Sequence, residues 1–321
     1  MTRRLRFSSA TDFAIGLVAA LIFNSCMVTQ PPDARLRQTA GLVEEVKVFG
    51  KTLGIEPTPA LSRTTKDGPA LSMLWIWMQR VGTLALRAPV DIRTAIGFNT
   101  DSERLKIEQV YRVDGYSVYY RQGNEFADSR AVTTIGFAEE PIVRRVKVIL
   151  HEDLHGDANF ALPWEIEEAI VTPLGSLAAV EYFRYKNDEI NWQNAVASVS
   201  EERKVARELT AVVVEAEKIF AAENVDTAKQ KILAMLPNFP AYYRQFERQT
   251  RGQHAATVLE AKLSHDLAYY RYFDRIATLA EIAPNLKVLI DDLKGMPRDA
   301  SAATAEQVLQ ELDSKYRSTP K

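Results

Sequence analysis

The sequence predicts an α+β protein that is mostly helical, with a small antiparallel sheet beside one motif-bearing helix and a helical carboxy-terminal half. Apolar and polar residues alternate in short stretches between residues 104 and 137, as in half-buried strands. Apolar residues recur at helical spacing from residue 142 to 154 and through most of the chain after residue 164. The 321 residues are 46% apolar with a formal net charge of −2, so we expect one globular domain and no nucleic-acid partner.

The first 25 residues have the composition of a signal peptide. Arg3, Arg4 and Arg6 precede an apolar run of eleven residues, Phe13 to Phe23, and small polar residues follow. The run is short for a membrane span, which needs about twenty apolar residues. We therefore expect residues 1–25 to direct export.

Cys26, the only cysteine in the chain, follows this segment directly. Phe23-Asn24-Ser25-Cys26 resembles the lipobox of bacterial lipoproteins, although Phe23 and Asn24 are atypical of it. The resemblance implies an exported protein of the cell envelope that faces the periplasm, anchored to the membrane through lipid on Cys26. Met27 after the cysteine favours the outer membrane. A secreted protein and an uncleaved anchor are the alternatives.

Two elements are predicted before residue 100. Residues 31–54 read as a helix, because Leu36, Val43 and Val46 fall near one helical face. Residues 70–86 are strongly apolar but too short and too interrupted to span a membrane. We expect the second segment to be a helix or strand of the core.

The sheet is predicted from three later segments. Asp114-Gly115, a typical hairpin turn, stands between the alternating segments 105–111 and 116–120. Residues 131–137 are predicted to be a third strand, just before the helix that carries the motif. Because extended peptides often pair with such an edge strand, we expect a peptide substrate to bind along residues 131–137.

His151, Glu152 and His155 carry the chemical prediction. Residues four apart on a helix project from the same face, so the two imidazoles can converge on one ion. The His-Glu-x-x-His pattern is that of zinc hydrolases, in which the metal acidifies a water molecule and the glutamate removes its proton. Pro141 suits the start of this helix and Gly156 its end.

A second helix, which restarts near residue 162, offers three glutamates for a third metal ligand. Glu168 stands thirteen residues after His155, which leaves room for a loop and a return. Glu165 shares a helical face with Glu168, whereas Glu167 points about a quarter-turn away. The residues alone leave Glu165 and Glu167 as competitors of Glu168.

The rest of the chain is predicted to be helical. The second metal-site helix continues to about residue 186, and four later helices start at Ser198, Asp226, His254 and Thr304. The helix from His254 is predicted to run unbroken to Ile282. His254 and His265 lie on roughly the same face of it, and we expect them to be surface or packing residues rather than ligands.

The chain resembles a bacterial family of exported predicted aminopeptidases, many of which carry a lipoprotein signal. Residues 131–143 are similar to the family segment A-Y-S-T-L-G-W-F-x-D-P-V-L, and the His151–His155 motif follows at the family's interval. Glu168 stands where the family segment N-E-S-F-A has its glutamate. More weakly, residues 261–269 are similar to a family segment with a tyrosine at the position of Tyr269.

The resemblance implies a zincin-like fold and a zinc peptidase of the gluzincin type. His151, His155 and Glu168 would bind Zn²⁺, and Glu152 would act as general base. The reaction also requires a donor to the oxyanion, for which Tyr269 is our candidate. Thr172, one turn after Glu168, is a candidate hydrogen-bonding partner of the site.

An aminopeptidase further needs an acidic group for the free amine of its substrate. Glu139, Glu165 and Glu167 are all available for this role. The chain departs from the family at Gly156, at Glu167 and at residues 259–260, which puts substrate recognition in question more than metal binding.

We therefore predict a single metallopeptidase domain, residues 26–321. Its residues 70–186 would hold the sheet and the metal-site helices, and residues 187–321 a helical subregion. The alternatives are a non-catalytic envelope lipoprotein that keeps the fold as a binding or scaffolding module, and a helical envelope protein in which the motif is accidental.

Overall fold

A computed structural model describes residues 32–65, 73–84, 92–98, 115–123, 132–156 and 160–318. The predicted signal peptide, Cys26 and the predicted strand 105–111 lie outside these residues. None of the described helices combines the length and apolar composition that a membrane-spanning segment needs.

The described residues form a mostly helical α+β fold, as the sequence predicts. The strands are β1 (Arg63–Thr64), β2 (Met73–Arg80), β3 (Ile92–Phe98), β4 (Tyr116–Gly123) and β5 (Val132–Thr133). The helices are α1 (Pro32–Thr52), α2 (Ile135–Glu139), α3 (Ile142–Gly156), α4 (Trp164–Tyr185), α5 (Glu189–Ala222), α6 (Val225–Met235), α7 (Pro240–Gln249), α8 (Ala255–Tyr270), α9 (Phe273–Ile282), α10 (Leu286–Leu293) and α11 (Ala302–Ser318).

The main sheet is antiparallel and has the strand order β3-β2-β4. Strand β4 confirms the predicted strand 116–120, and Gly115 before it has the positive φ, 85°, that favours glycine. Trp77 of β2 lies opposite Tyr119 of β4, and both side chains are buried against helices. This face of the sheet packs on α8, which also contacts α4.

The prediction of a strand over residues 131–137 is wrong beyond Thr133. Strand β5 ends there and pairs in parallel with β1, not with the antiparallel sheet. The hydroxyl of Thr134 accepts a hydrogen bond of 3.0 Å from the backbone N–H of Phe137 and caps α2. The cap satisfies a backbone donor locally, and it outweighs the alternating pattern. The predicted edge for a peptide therefore does not exist at residues 134–137.

Three predicted helix boundaries are also wrong. Helix α5 begins nine residues before Ser198, after Asp188, whose carboxylate accepts a hydrogen bond from the backbone of Asn191 at 3.1 Å. The predicted helix 254–282 is two helices, α8 and α9. Helix α11 begins after Ser301, which caps Thr304, so Thr304 is not itself the cap. Asp188 and Ser301 set the two corrected starts, and a turn at residues 271–272 separates α8 from α9.

The two larger buried apolar clusters hold most of these elements together. The first surrounds α3 and α4 and includes side chains of α1, α9, α10 and α11. The second lies between the sheet and helices α5, α6, α7 and α8. Since α8 packs on both α4 and the sheet, it connects the two clusters next to the helices of the predicted metal site.

Candidate metal centre

Helix α3 presents the motif because its opposite side is anchored in the core. Val146, Ile149, Leu150 and Leu154 are fully buried and recur at the spacing of one helical face. The imidazoles of the motif project from a neighbouring face, where they are only partly buried. The helix thus offers two imidazoles side by side on a rigid element.

Helix α4 approaches α3 closely at Gly175. A Cβ atom on Gly175 would lie 3.0 Å from the Cβ of His151 and 3.2 Å from the carbonyl oxygen of Lys147. Such distances are shorter than ordinary van der Waals contact, so the two helices can pass this closely only where α4 has a glycine. Glu168 lies two turns before Gly175, on the same side of α4.

The described residues place one oxygen and two nitrogen atoms at metal-ligand spacing. The Nε2 atoms of His151 and His155 are 3.1 Å apart, and the Oε2 atom of Glu168 lies 3.5 Å and 3.3 Å from them, respectively. Ligand atoms of a tetrahedral zinc ion are about 3.4 Å apart. The His151, His155 and Glu168 group can therefore hold a metal ion.

Glu168 is held so that one oxygen faces the histidines. Trp164, one turn earlier, donates its indole N–H to Oε1 at 3.1 Å. Oε2 is buried without a well-aligned hydrogen bond. A buried carboxylate oxygen that lacks such a donor costs free energy unless a cation or proton lies near it, and this fits a metal ligand.

The other nitrogen of His155 is fixed by Glu167. The Nδ1 atom lies 3.0 Å from Oε1 of Glu167, so the ring donates there and directs Nε2 toward Glu168. Metal-binding histidines are usually oriented by such a carboxylate. The sequence left Glu167 as a competing ligand and missed this role. Glu167 is offset by about a quarter-turn of helix from Glu168. This offset could have predicted the role, because it lets Glu167 reach Nδ1 of His155 while Glu168 faces Nε2.

The electrostatics of the group favour a proton on His155. Burial, together with the charge of His155, lowers the pKa of His151 to about 3. Burial also opposes protonation of His155, but the charge of Glu168 and the hydrogen bond to Glu167 hold its pKa well above the usual range. Burial raises the pKa of Glu168, yet the charge of His155 outweighs this and lowers it to about 2. The proton on His155 thus occupies the place where a metal cation would supply positive charge.

Asp153, within the motif, fastens α3 to α1 and the segment after it. Its Oδ1 atom accepts hydrogen bonds from the hydroxyl of Thr58 at 2.8 Å and from the backbone N–H of Thr58 at 3.0 Å. Lys47 forms a buried ion pair with the same carboxylate. No sequence pattern predicts this anchor, because its partners lie 95 and 106 residues away in the chain.

The remaining predicted site residues are Glu152, Tyr269 and Thr172. Glu152 is 6% exposed, and its charge contributes to the raised pKa of His155. The ring of Tyr269 is half-buried and contacts Trp164 edge to face, with 6.3 Å between ring centroids. Thr172 is buried, and its hydroxyl makes no hydrogen bond to a described residue.

Comparisons of the chain with protein-family models, with curated proteins and with solved structures gave no match.

Proposed function

We propose that the protein is a zinc-dependent peptidase whose metal ligands are His151, His155 and Glu168. The observation that carries the proposal is the spacing of their three ligand atoms, from 3.1 to 3.5 Å. Glu152 is near enough for its charge to raise the pKa of His155. Two imidazoles and one carboxylate form a typical catalytic zinc set, which leaves a fourth position open. The resemblance of residues 131–169 to predicted aminopeptidases supports the same function.

A zinc ion at this position would acidify a water molecule and polarise the carbonyl of a peptide bond. Glu152, the buried carboxylate next to His151, would accept the proton of the attacking water and deliver it to the leaving amine. Tyr269, whose ring contacts that of Trp164, would donate a hydrogen bond to the carbonyl oxygen as negative charge develops on it. Glu167 would keep His155 in the tautomer that presents Nε2.

The proposed substrate is a peptide, and an aminopeptidase would hold its free amine with an acidic group. Of the three candidates, Glu167 is engaged by His155 at 3.0 Å, and Glu139 forms an ion pair with Arg35 at 2.7 Å. We therefore propose Glu165, which is half-buried in the first turn of α4, for this role. The proposal predicts that Glu165→Gln raises KM for peptides with a free amino terminus and leaves amino-blocked peptides unaffected.

The zinc content of the purified protein tests the proposal most directly. We expect about one zinc ion per chain, and we expect Glu168→Gln to lose it or bind it far more weakly. Glu165→Gln is the matched control, because it changes a neighbouring carboxylate on the same helix and should retain zinc. Absence of zinc from the parent protein after growth in zinc-replete medium would refute the metal site.

Turnover separates an enzyme from the non-catalytic alternative. A peptidase should cleave members of a peptide library and lose this activity in Glu152→Gln while it keeps zinc. Stoichiometric zinc without turnover of any peptide would favour the scaffolding alternative instead.

We further propose that the protein is exported and anchored to the envelope through lipid on Cys26. The basic start, the apolar run and the position of the only cysteine support this proposal. Cys26→Ala should move the protein from the membrane fraction to the soluble fraction, and an unchanged distribution would contradict the lipid anchor.

A further inference from the structure

A buried cluster of polar and charged side chains lies on α8, away from the ligands. Asp266 accepts hydrogen bonds from the Nδ1 atom of His265 at 2.8 Å and from the hydroxyl of Tyr242 at 2.9 Å. Lys262 forms an ion pair with the same carboxylate, and Lys262, His265 and Asp266 are each at most 2% exposed. Burying charges costs several kcal/mol per ion, so this arrangement requires a compensating benefit.

The cluster fixes the protonation of His265. Burial raises the pKa of Asp266, but the charge of Lys262 and the contact with His265 lower it to about 2, so the carboxylate can only accept. His265 therefore carries its proton on Nδ1, and burial lowers its own pKa to about 4. Nε2 is left as a buried nitrogen with no hydrogen-bond partner among the described residues.

Aromatic rings surround His265 on several sides. The centroids of Trp77 and Tyr119, both on the sheet, lie 4.3 Å and 5.0 Å from that of His265. The ring of Tyr269, one turn later on α8, lies 4.9 Å away. His265 thus lies between the sheet and Tyr269.

Tyr269 connects His265 to the metal centre. Its ring contacts Trp164, whose indole N–H is hydrogen-bonded to the ligand Glu168. The line of contacts from Asp266 through His265, Tyr269 and Trp164 to Glu168 is continuous. Tyr269 lies within this line, and it is half-buried whereas Asp266 and His265 are deeply buried.

We propose that the Asp266–His265 pair is a positioning element that fixes Tyr269 for catalysis at the metal site. This inference rests on the proposed zinc peptidase and adds to it a function for α8. A histidine fixed on one side by a carboxylate holds its ring plane more rigidly than an apolar side chain of similar size, and that plane sets the position of Tyr269. A purely structural histidine would instead be replaceable by phenylalanine, which keeps its volume and its aromatic contacts.

A double-mutant cycle on the full-length, zinc-loaded protein tests the proposal. Its variants are His265→Phe, Tyr269→Phe and the two combined, with His254→Phe as the matched control at the exposed start of the same helix. We expect His265→Phe to lower kcat about tenfold and Tyr269→Phe about a hundredfold, with KM and zinc content unchanged. The double variant should be no slower than Tyr269→Phe alone, because His265 acts through Tyr269.

Binding of leucine hydroxamate, a zinc-binding amino-acid analogue, gives a second readout that does not require turnover. We expect its dissociation constant to rise about tenfold in both single variants, with no further rise in the double variant. If His265→Phe fails to fold in thermal unfolding measurements, His265→Gln, which can still donate to Asp266, should fold and show an intermediate loss.

Each other outcome overturns a defined part of the argument. Unchanged kcat and hydroxamate binding in His265→Phe would reduce His265 to a packing residue and leave the peptidase proposal intact. Losses that multiply in the double variant would show that His265 does not act through Tyr269. Loss of zinc in His265→Phe would show that the substitution disturbs the metal ligands and does not act through Tyr269. Absence of zinc from the parent protein would refute the proposed function and the positioning role together.

Discussion

Trp164 donates its indole N–H to Oε1 of Glu168 at 3.1 Å, one helical turn away, and leaves Oε2 of that carboxylate facing His151 and His155. Both residues belong to α4, so this hydrogen bond depends on the geometry of that helix alone. The ring of Tyr269, on α8, contacts the same indole edge to face. Residues of two helices, α4 and α8, therefore contribute to the orientation of the third ligand, Glu168.

Trp164→Phe should therefore weaken zinc binding while the fold is retained. Phenylalanine keeps the ring contact with Tyr269 but cannot donate to Glu168, and loss of a hydrogen bond to a metal ligand costs roughly 10- to 100-fold in affinity. Competition with a chromophoric chelator would measure the change. Trp192→Phe, on α5, is the control, and equal affinities in the two variants would contradict the role of Trp164.

Removal of the carboxylate of Glu167 should have a comparable effect through His155. Glu167→Ala leaves Nδ1 without its acceptor at 3.0 Å, so we expect zinc affinity to fall roughly 10- to 100-fold. Glu167→Gln retains a neutral acceptor and should lose less. Isothermal titration of metal-free protein with zinc would distinguish the two, and an unchanged affinity in Glu167→Ala would contradict the role of Glu167.

Zinc affinity should rise with pH across the neutral range. The pKa of His155 is held well above its usual value in the metal-free protein, so the ring is protonated near pH 7 and must release that proton to bind zinc. One proton released per zinc ion gives about a tenfold gain in affinity per pH unit. The gain should level off once the pH exceeds the pKa of His155. Titrations in buffers of different ionisation enthalpy count the protons, and a count of zero at pH 7 would refute the assignment.

The same proton should stabilise the metal-free fold at lower pH. A group whose pKa is raised on folding contributes stability that is present below its unfolded pKa and is lost as pH rises through the folded value. Metal-free protein should therefore become less stable through this group as the pH rises above neutrality, and zinc should remove the dependence. Urea unfolding at several pH values, with and without zinc, would measure it.

Gly175→Ala should separate the two metal-site helices. The added methyl group would lie 3.0 Å from the Cβ of His151 and 3.2 Å from the carbonyl oxygen of Lys147, both on helix α3. Because neither atom can move without shifting that helix, we expect about 1–3 kcal/mol of destabilisation and weaker zinc binding. Gly41→Ala, in α1, is the matched control, because its Cβ would meet no atom within 4 Å. That variant should be neutral or more stable by about 0.5–1 kcal/mol. Thermal unfolding of both variants checks the difference.

The sequence alone was sufficient for the parts of the site that depend on one helix. His151 and His155 share a face because the α-helix has 3.6 residues per turn, whatever surrounds it. The apolar stripe from Val146 to Leu154 likewise fixes which side of α3 enters the core. Local pattern also predicted α1, α4 and the strand of residues 116–120.

Only the tertiary structure decided which glutamate on α4 meets the histidines. Glu165, Glu167 and Glu168 are equivalent by residue type, and the choice depends on the rotation of α4 against α3 at Gly175. That packing brings Glu168 to the two Nε2 atoms and leaves Glu167 to hold the far nitrogen of His155. The same holds for the start of residues 131–137, where β5 pairs in parallel with β1, a strand far earlier in the chain, and not with the antiparallel sheet. Sequence periodicity fixes the face of an element, whereas the contacts between faces arise from packing of residues far apart in the chain.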